Sequence, residues 1–308
     1  PAFGTTVELF EKLRVLGIDP MRYDATCPFV EKVWKRSAEL GSRGYTVVIH
    51  GKHTHEETRA TFSHARLAAP TLMIRDMAEA KLLSRYLRQE IPLEQFETDF
   101  TARYSADFRV DPHLKKIGVV NQTTMLATET QEIAELLKQT MAEVYGISRL
   151  SEHFADTRDT LCYATQQNQE AVYGLINSGG DFAIVVGGYN SSNTSLLVEL
   201  CEQKVPTFHI EDANEILTKN SIRHLDFKSG EMRVTESWIP SKREPIQIIL
   251  TAGASCPDAL VDEVITKIAT FLGVEDKIAL VLDPYSQGLG ENVQLVSIAK
   301  GAYHIEIK

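Results

Sequence analysis

The chain predicts an α/β protein built of repeated three-layer αβα domains with mainly parallel sheets. Three observations carry that expectation. Short, continuous apolar runs, "YTVVIH" (45–50), "KIGVVN" (116–121), "DFAIVV" (181–186) and "IQIIL" (246–250), alternate with amphipathic stretches of helical period. Unbroken apolar runs of this length are what strands covered on both faces require. The order of elements also repeats: a cysteine, a helix, a strand, a polar loop, a further strand, a turn rich in small and hydroxyl side chains, a helix. The repeat is anchored on "YDATCPFVEKVW" around Cys27 and "DTLCYATQQNQEAV" around Cys162, each with an aspartate three residues ahead, Asp24 and Asp159.

Taken in chain order, "PAFGTTVELFEKL" has the form of a closing turn and helix, so residues 1–26 read as the end of a truncated first repeat whose opening half, with its own cysteine, would lie upstream of Pro1. Residues 27–161 form the second repeat, with the loops "GKHTHEET" and "NQTT". Residues 162–270 form the third, with "GGYNSSNTS" and "TAGAS", and 271–308 form a C-terminal tail whose end alternates with period two and reads as an added strand. Residues 85–115 and 219–245 are polar and punctuated by proline, and read as insertions or surface excursions.

Composition narrows the function. The 308 residues are 43% hydrophobic and 24% charged, and no apolar run approaches the roughly 18 residues of a membrane span. A formal net charge of −10 excludes a broad basic surface for nucleic acid. An anionic ligand must then be held locally, by helix N-termini, hydroxyls and histidines. Four cysteines without a CxxC pair are neither a disulfide scaffold nor a zinc ribbon, which points to a reducing compartment.

Cys27 and Cys162 stand at the starts of helices, where backbone amides favour a thiolate. Cys201, in "LLVELCEQKV", reads as core; Cys256 follows Ser255 at a helix start and has no cysteine counterpart in the other repeat. Three like-placed cysteines, arranged pseudo-threefold around one centre, suit an iron–sulfur cluster better than zinc, because an iron left without a thiolate can act as a Lewis acid. In "GKHTHEET", His55 and Glu57 are two residues apart beyond a strand end, a pairing able to bind an anion and deliver a proton. In "VVGGYNSSNTS", Ser191, Ser192 and Asn193 follow two glycines at a helix start and suit phosphate; Thr123, Thr124 and Ser255 sit at the corresponding turns. Neither a P-loop nor a GxGxxG fingerprint occurs, so a nucleotide is not indicated.

In "DATCP", "HEET", "NQTT", "CYATQQNQEAV", "VVGGYNSSNTS" and "TAGAS", in that order and over nearly the whole chain, the sequence resembles the LytB or IspH family of 4-hydroxy-3-methylbut-2-enyl diphosphate reductases, and more closely its plant and cyanobacterial branch. The resemblance implies a 4Fe–4S cluster held by three cysteines, and the reductive removal of a hydroxyl from (E)-4-hydroxy-3-methylbut-2-enyl diphosphate to give isopentenyl and dimethylallyl diphosphates. That is the last step of the methylerythritol phosphate pathway. By motif, Cys27 and Cys162 are cluster ligands, with the third cysteine expected upstream of Pro1. Glu57 is the proton source, His55 and Thr123 lie near the substrate hydroxyl and diphosphate, and Thr124, Ser191, Ser192, Asn193 and Ser255 line the diphosphate site. A ferredoxin- or flavodoxin-type electron donor and a cytoplasmic or plastid-stromal location are implied as well. Part of the family has a histidine where Phe3 stands, which alters one diphosphate contact. Two readings stay beside this one: a cluster-free homologue that only binds phosphate esters or prenyl diphosphates, and a zinc hydrolase built on the histidine loop.

Overall fold

The computed structural model describes residues 1–155, 160–240 and 245–280, together with the backbone of strand 302–306. Asp159, expected to repeat the setting of Asp24, lies outside the described residues. The chain divides into two compact units, Pro1–Cys162 and Tyr163–Lys308.

In the first unit, α1 (Val7–Val15) and α2 (Pro28–Ser42) precede β1 (Thr46–His50). Then follow α3 (Glu56–Ala65), β2 (Thr71–Ile74), α4 (Met77–Leu87), the single-turn helices α5 (Phe96–Asp99) and α6 (Val110–His113), β3 (Ile117–Asn121), α7 (Ala127–Tyr145), α8 (Leu150–His153) and β4 (Phe154–Ala155). The four strands form one parallel sheet in the order β2-β1-β3-β4. Successive strand residues face opposite sides, so Val47 and Ile49 join Val33, Leu40 and Ala65 of α2 and α3, while Val48 joins Leu83, Ile133, Leu137 and Met141 of α4 and α7. Both faces are covered, giving the three expected layers.

Residues 85–115 are not a surface excursion. Phe96, Phe100 and Phe108 are buried with Tyr86 in the core, their rings 4.8–6.2 Å apart, with Tyr104 packed against them. Beyond them, the Met73 N–H donates to Arg103 O at 2.7 Å and the Ser105 N–H to Thr71 O at 2.9 Å, so the segment also sheathes the free edge of β2. Four aromatics at intervals of four were the signal, hidden among charged neighbours.

The second unit runs α9 (Tyr163–Ser178), β5 (Phe182–Val186), α10 (Ser192–Glu202), β6 (Thr207–Ile210), β7 (Ile216–Thr218), β8 (Ser221–Asp226), β9 (Glu231–Glu236), β10 (Gln247–Ala252), α11 (Asp258–Leu272) and β11 (Ala302–Glu306). Its centre, β10-β5-β6, is parallel. Antiparallel strands extend it on both sides: β11 on β10, as the period-two ending led one to expect, and β8 with β7 and β9 beyond β6. Phe182, Ile184, Val186, Phe208, Leu250, Val264, Ile268 and Trp238 make one core layer with α11, and α9 and α10 lie over the other face.

Residues 219–245 also differ from expectation, since they carry the hairpin β8–β9. Its turn is closed by Asp226, which accepts from the Lys228 and Ser229 N–H groups at 3.0 and 2.8 Å, and by Gly230 at φ +70. The outer strand β9 is almost wholly exposed, so its polar composition masked its alternation. Residues 241–244 lie outside the described residues. Among the described residues no helix is long and apolar enough to cross a membrane.

Candidate functional site

In the first unit the site is built where parallel β1 and β3 end, the edge at which such sheets expose their connecting loops. The loop after β1 runs into α3 with His55 as its N-cap (φ −77, ψ 138). Nδ1 of His55 accepts the Glu57 N–H at 3.2 Å, which leaves the proton of the neutral ring on Nε2. Burial holds this imidazole below its usual pKa, with nearby Lys52 adding to the effect. The ring of Phe3 stands edge-on to it at 6.3 Å.

Glu57, in the first turn of α3, is 2% exposed. Its Oε1 accepts a hydrogen bond from the Thr123 N–H. Burial pushes the carboxyl from 4.5 up to about 7, against the lowering effect of hydrogen bonds from Thr123. Thr123 is itself buried, and Thr124 half-buried. The structure therefore brings His55, Glu57 and Thr123 together, with a carboxyl that keeps its proton near neutrality.

Gln122 ties the two strand-end loops to each other, a role its motif does not reveal. Its Oε1 accepts from the Lys52 N–H at 3.1 Å and the Thr58 hydroxyl at 2.9 Å, and its Nε2 donates to Thr124 Oγ1 at 2.7 Å. A Cβ on Gly51 would stand 2.6 Å from Thr58 Oγ1 and 3.0 Å from Gln122 Cβ, so glycine is needed for this approach. Gln122→Leu would strip partners from buried groups that cost about 1–3 kcal/mol each when unpaired. A loss of about 3 kcal/mol is expected, checked by urea unfolding.

Cys27 is the N-cap of α2, ahead of Pro28, and Cys162 directly precedes α9; both are free and half-buried. The Cys27 N–H donates to Ala2 O at 2.8 Å, and its thiol takes no part in capping. Asp24, three residues earlier, turns the chain into this position by accepting from the Thr26 N–H (2.9 Å) and hydroxyl (2.6 Å). Cys201 is fully buried in α10, and burial pushes its thiol up to about 12; burial also raises Cys256. Cys27 and Cys162 thus fit a thiolate-bound centre and Cys201 does not. No group of three or more His, Cys, Asp or Glu side chains placed to hold a metal ion occurs among the described residues.

In the second unit Ser191 caps α10, accepting the Thr194 N–H at 3.3 Å, and Ser192 and Asn193 open the helix. Asn193 is 6% exposed, yet among the described residues neither atom of its amide has a partner, and Thr194 Oγ1 is likewise unpaired. Buried polar groups without partners are rare, and two adjoining ones at a helix N-terminus suit a bound anion. Ser255 is exposed in the turn after β10. Thr194 packs between two glycines: a Cβ at Gly187 would lie 2.7 Å from its Oγ1, and one at Gly253 only 2.2 Å. Since Gly187 also has φ +149, Gly187→Ala combines backbone strain with overpacking. A loss of about 2–4 kcal/mol is expected in the same unfolding measurement.

Parallel strands covered by helices place acid, hydroxyl and amide groups on strand-end loops, the edge at which α/β folds hold ligands. The family model described as LytB protein matches residues 1–269, and the chain belongs to this family. It is 38% identical over 269 residues to a 4-hydroxy-3-methylbut-2-enyl diphosphate reductase of Picosynechococcus sp., covering 87% of this chain and 64% of that relative. It is 40% identical to that of Synechococcus sp., covering 87% and 65%. The chain thus spans just under two thirds of the length of these curated relatives. The solved E-1-hydroxy-2-methyl-but-2-enyl-4-diphosphate reductase from Plasmodium falciparum matches with a TM-score of 0.56 at 20% identity, over 87% of this chain and 65% of that one, and shares the fold.

Proposed function

We propose that this chain serves the reductive dehydroxylation of (E)-4-hydroxy-3-methylbut-2-enyl diphosphate to isopentenyl and dimethylallyl diphosphates; its relatives are named 4-hydroxy-3-methylbut-2-enyl diphosphate reductase. The observation that carries the proposal is the buried carboxyl of Glu57, held at Thr123 with a pKa near 7. Loss of an allylic hydroxyl as water needs a proton at the departing oxygen, and a carboxylic acid that is still protonated near neutral pH is fitted to give it.

Each residue then has a task. Glu57 delivers the proton. Thr123 steadies that carboxyl through its N–H, and His55, with Nδ1 occupied, offers Nε2–H to an oxygen anion or hydroxyl. Ser191, Ser192, Asn193 and Ser255 of the second unit are neutral donors suited to a diphosphate, and Thr124 of the first is a neutral donor suited to an anion. Neutral donors and helix dipoles let a chain of net charge −10 hold a polyanion without a basic patch.

Cys27 and Cys162 are proposed as two thiolates of a 4Fe–4S cluster. Such a cluster, when bound, supplies the electrons and a Lewis-acidic iron. A ferredoxin- or flavodoxin-type protein is proposed as the electron source. The reading is tested by anaerobic reconstitution with iron and sulfide, followed by assay with the hydroxylated diphosphate and a chemical reductant. Product formation supports it, whereas tight binding of the diphosphate by an iron-free chain without turnover would favour a binding module.

A further inference from the structure

The anion cradle of the second unit is backed by a histidine that none of its motifs contain. His209, on β6, has no solvent exposure. Its Nε2 lies 2.9 Å from Gly187 O. A carbonyl oxygen only accepts, so Nε2 carries the hydrogen and donates it. Nδ1 is buried without a partner among the described residues, and the Tyr189 ring packs edge-on at 5.0 Å. Gly187 is thus fixed on every side: its N–H by Ile210 O at 2.9 Å, its carbonyl by His209, and its Cα face by Thr194.

In a trans peptide the C=O and the following N–H point in opposite directions. Pinning the Gly187 carbonyl against the buried imidazole therefore turns the Gly188 N–H outward. Gly188 is exposed, nothing stands within 4 Å of the place a Cβ would take, and its N–H donates to no acceptor among the described residues. The carbonyl of Gly188, in the next peptide, accepts the Ser191 N–H at 2.9 Å and so links Gly188 to the helix cap.

We propose that His209 is a positioning residue which, by clamping the Gly187 carbonyl, aims the Gly188 amide as an additional donor to the anion bound at the start of α10. The inference rests on reading that helix start as an anion site. It predicts that the cradle depends on a side chain buried beneath it, and that a backbone amide shares the load with Asn193 and the serines.

The test is pyrophosphate binding to the full chain, followed by calorimetry and by amide NMR. The Gly188 amide should be among the resonances that move on titration. His209→Leu should weaken binding about tenfold or more, the worth of one charge-assisted hydrogen bond, while His209→Gln, which retains a side-chain N–H, should stay within about threefold of the parent. Parent-like binding by His209→Leu, or equal weakening by both variants, would overturn the role of His209 and leave the anion site standing. Failure of the parent chain to bind pyrophosphate would overturn the anion site, and this inference with it. The imidazole ¹⁵N spectrum of the unsubstituted protein needs no variant to fold: the Nε2–H tautomer is expected, and the Nδ1–H tautomer would overturn the clamp.

Discussion

Glu57→Gln is expected to lower turnover at least about a hundredfold, the usual effect of losing a general acid, while diphosphate binding is retained. The amide matches the carboxyl in shape but has no acidic proton to give. The same variant has an opposite signature in stability. The folded-state pKa of Glu57, about 7, lies above its ordinary value of 4.5, so the native protein holds this proton more tightly than the unfolded chain does. The contribution is fully present below about pH 4.5 and is lost as pH rises through 7, because a buried group must then ionise or the fold must open. At about 1.4 kcal/mol per pKa unit the loss is on the order of 3 kcal/mol. Urea unfolding of the parent should therefore show stability declining between these pH values, and Glu57→Gln should remove that decline. A variant that is slow yet keeps the parent's pH dependence would assign the titration to another group.

Cys27→Ser and Cys162→Ser are each expected to abolish the brown colour and the stoichiometric iron of reconstituted protein. Serine preserves the turn at each helix start but replaces a soft thiolate with a hard, weakly acidic hydroxyl. Cys201→Ser should leave iron and colour unchanged, since that thiol is sealed in the core of α10. Iron and sulfide analysis after anaerobic reconstitution distinguishes these cases. Equal iron in the parent and the Cys27→Ser/Cys162→Ser double variant would remove both cysteines from the centre.

The alternation of short apolar strands with amphipathic helices was enough to read the three-layer architecture. Val47, Val48 and Ile49 show why, since the first and third pack in one helix-covered layer and the second in the other, as a sheet covered on both faces requires. The loops of the candidate site were legible too, because histidine, glutamate, threonine, serine and asparagine clustered after strands have few other reasons to stand together. Segments in which charge outnumbers apolar side chains were misread. Phe96, Phe100 and Phe108 reach the core from among glutamates and arginines, and β9 pairs with β8 through its backbone and through polar side chains, Thr235 Oγ1 with His224 Nε2 at 2.9 Å and Arg233 with Asp226.

Partnership was the other illegible quantity. Gln122 reads as one polar residue among several, and only the folded chain shows its amide spanning two loops. His209 sits in an apolar strand with no motif around it, and its meaning depends on Gly187, 22 positions earlier. Nor can a sequence show that both amide atoms of Asn193 are buried and without partners among the described residues. Such relations arise from tertiary approach, which local pattern does not encode.

The central claim, that Glu57 is a protonated acid in the neutral pH range, is open to direct measurement by infrared difference spectroscopy of the full chain against Glu57→Gln. The account predicts a protonated carboxyl band that disappears with a midpoint near pH 7 and is absent from the variant. A carboxyl already ionised at pH 6, titrating near 4.5 as an ordinary glutamate does, would contradict it and remove Glu57 as the proton source.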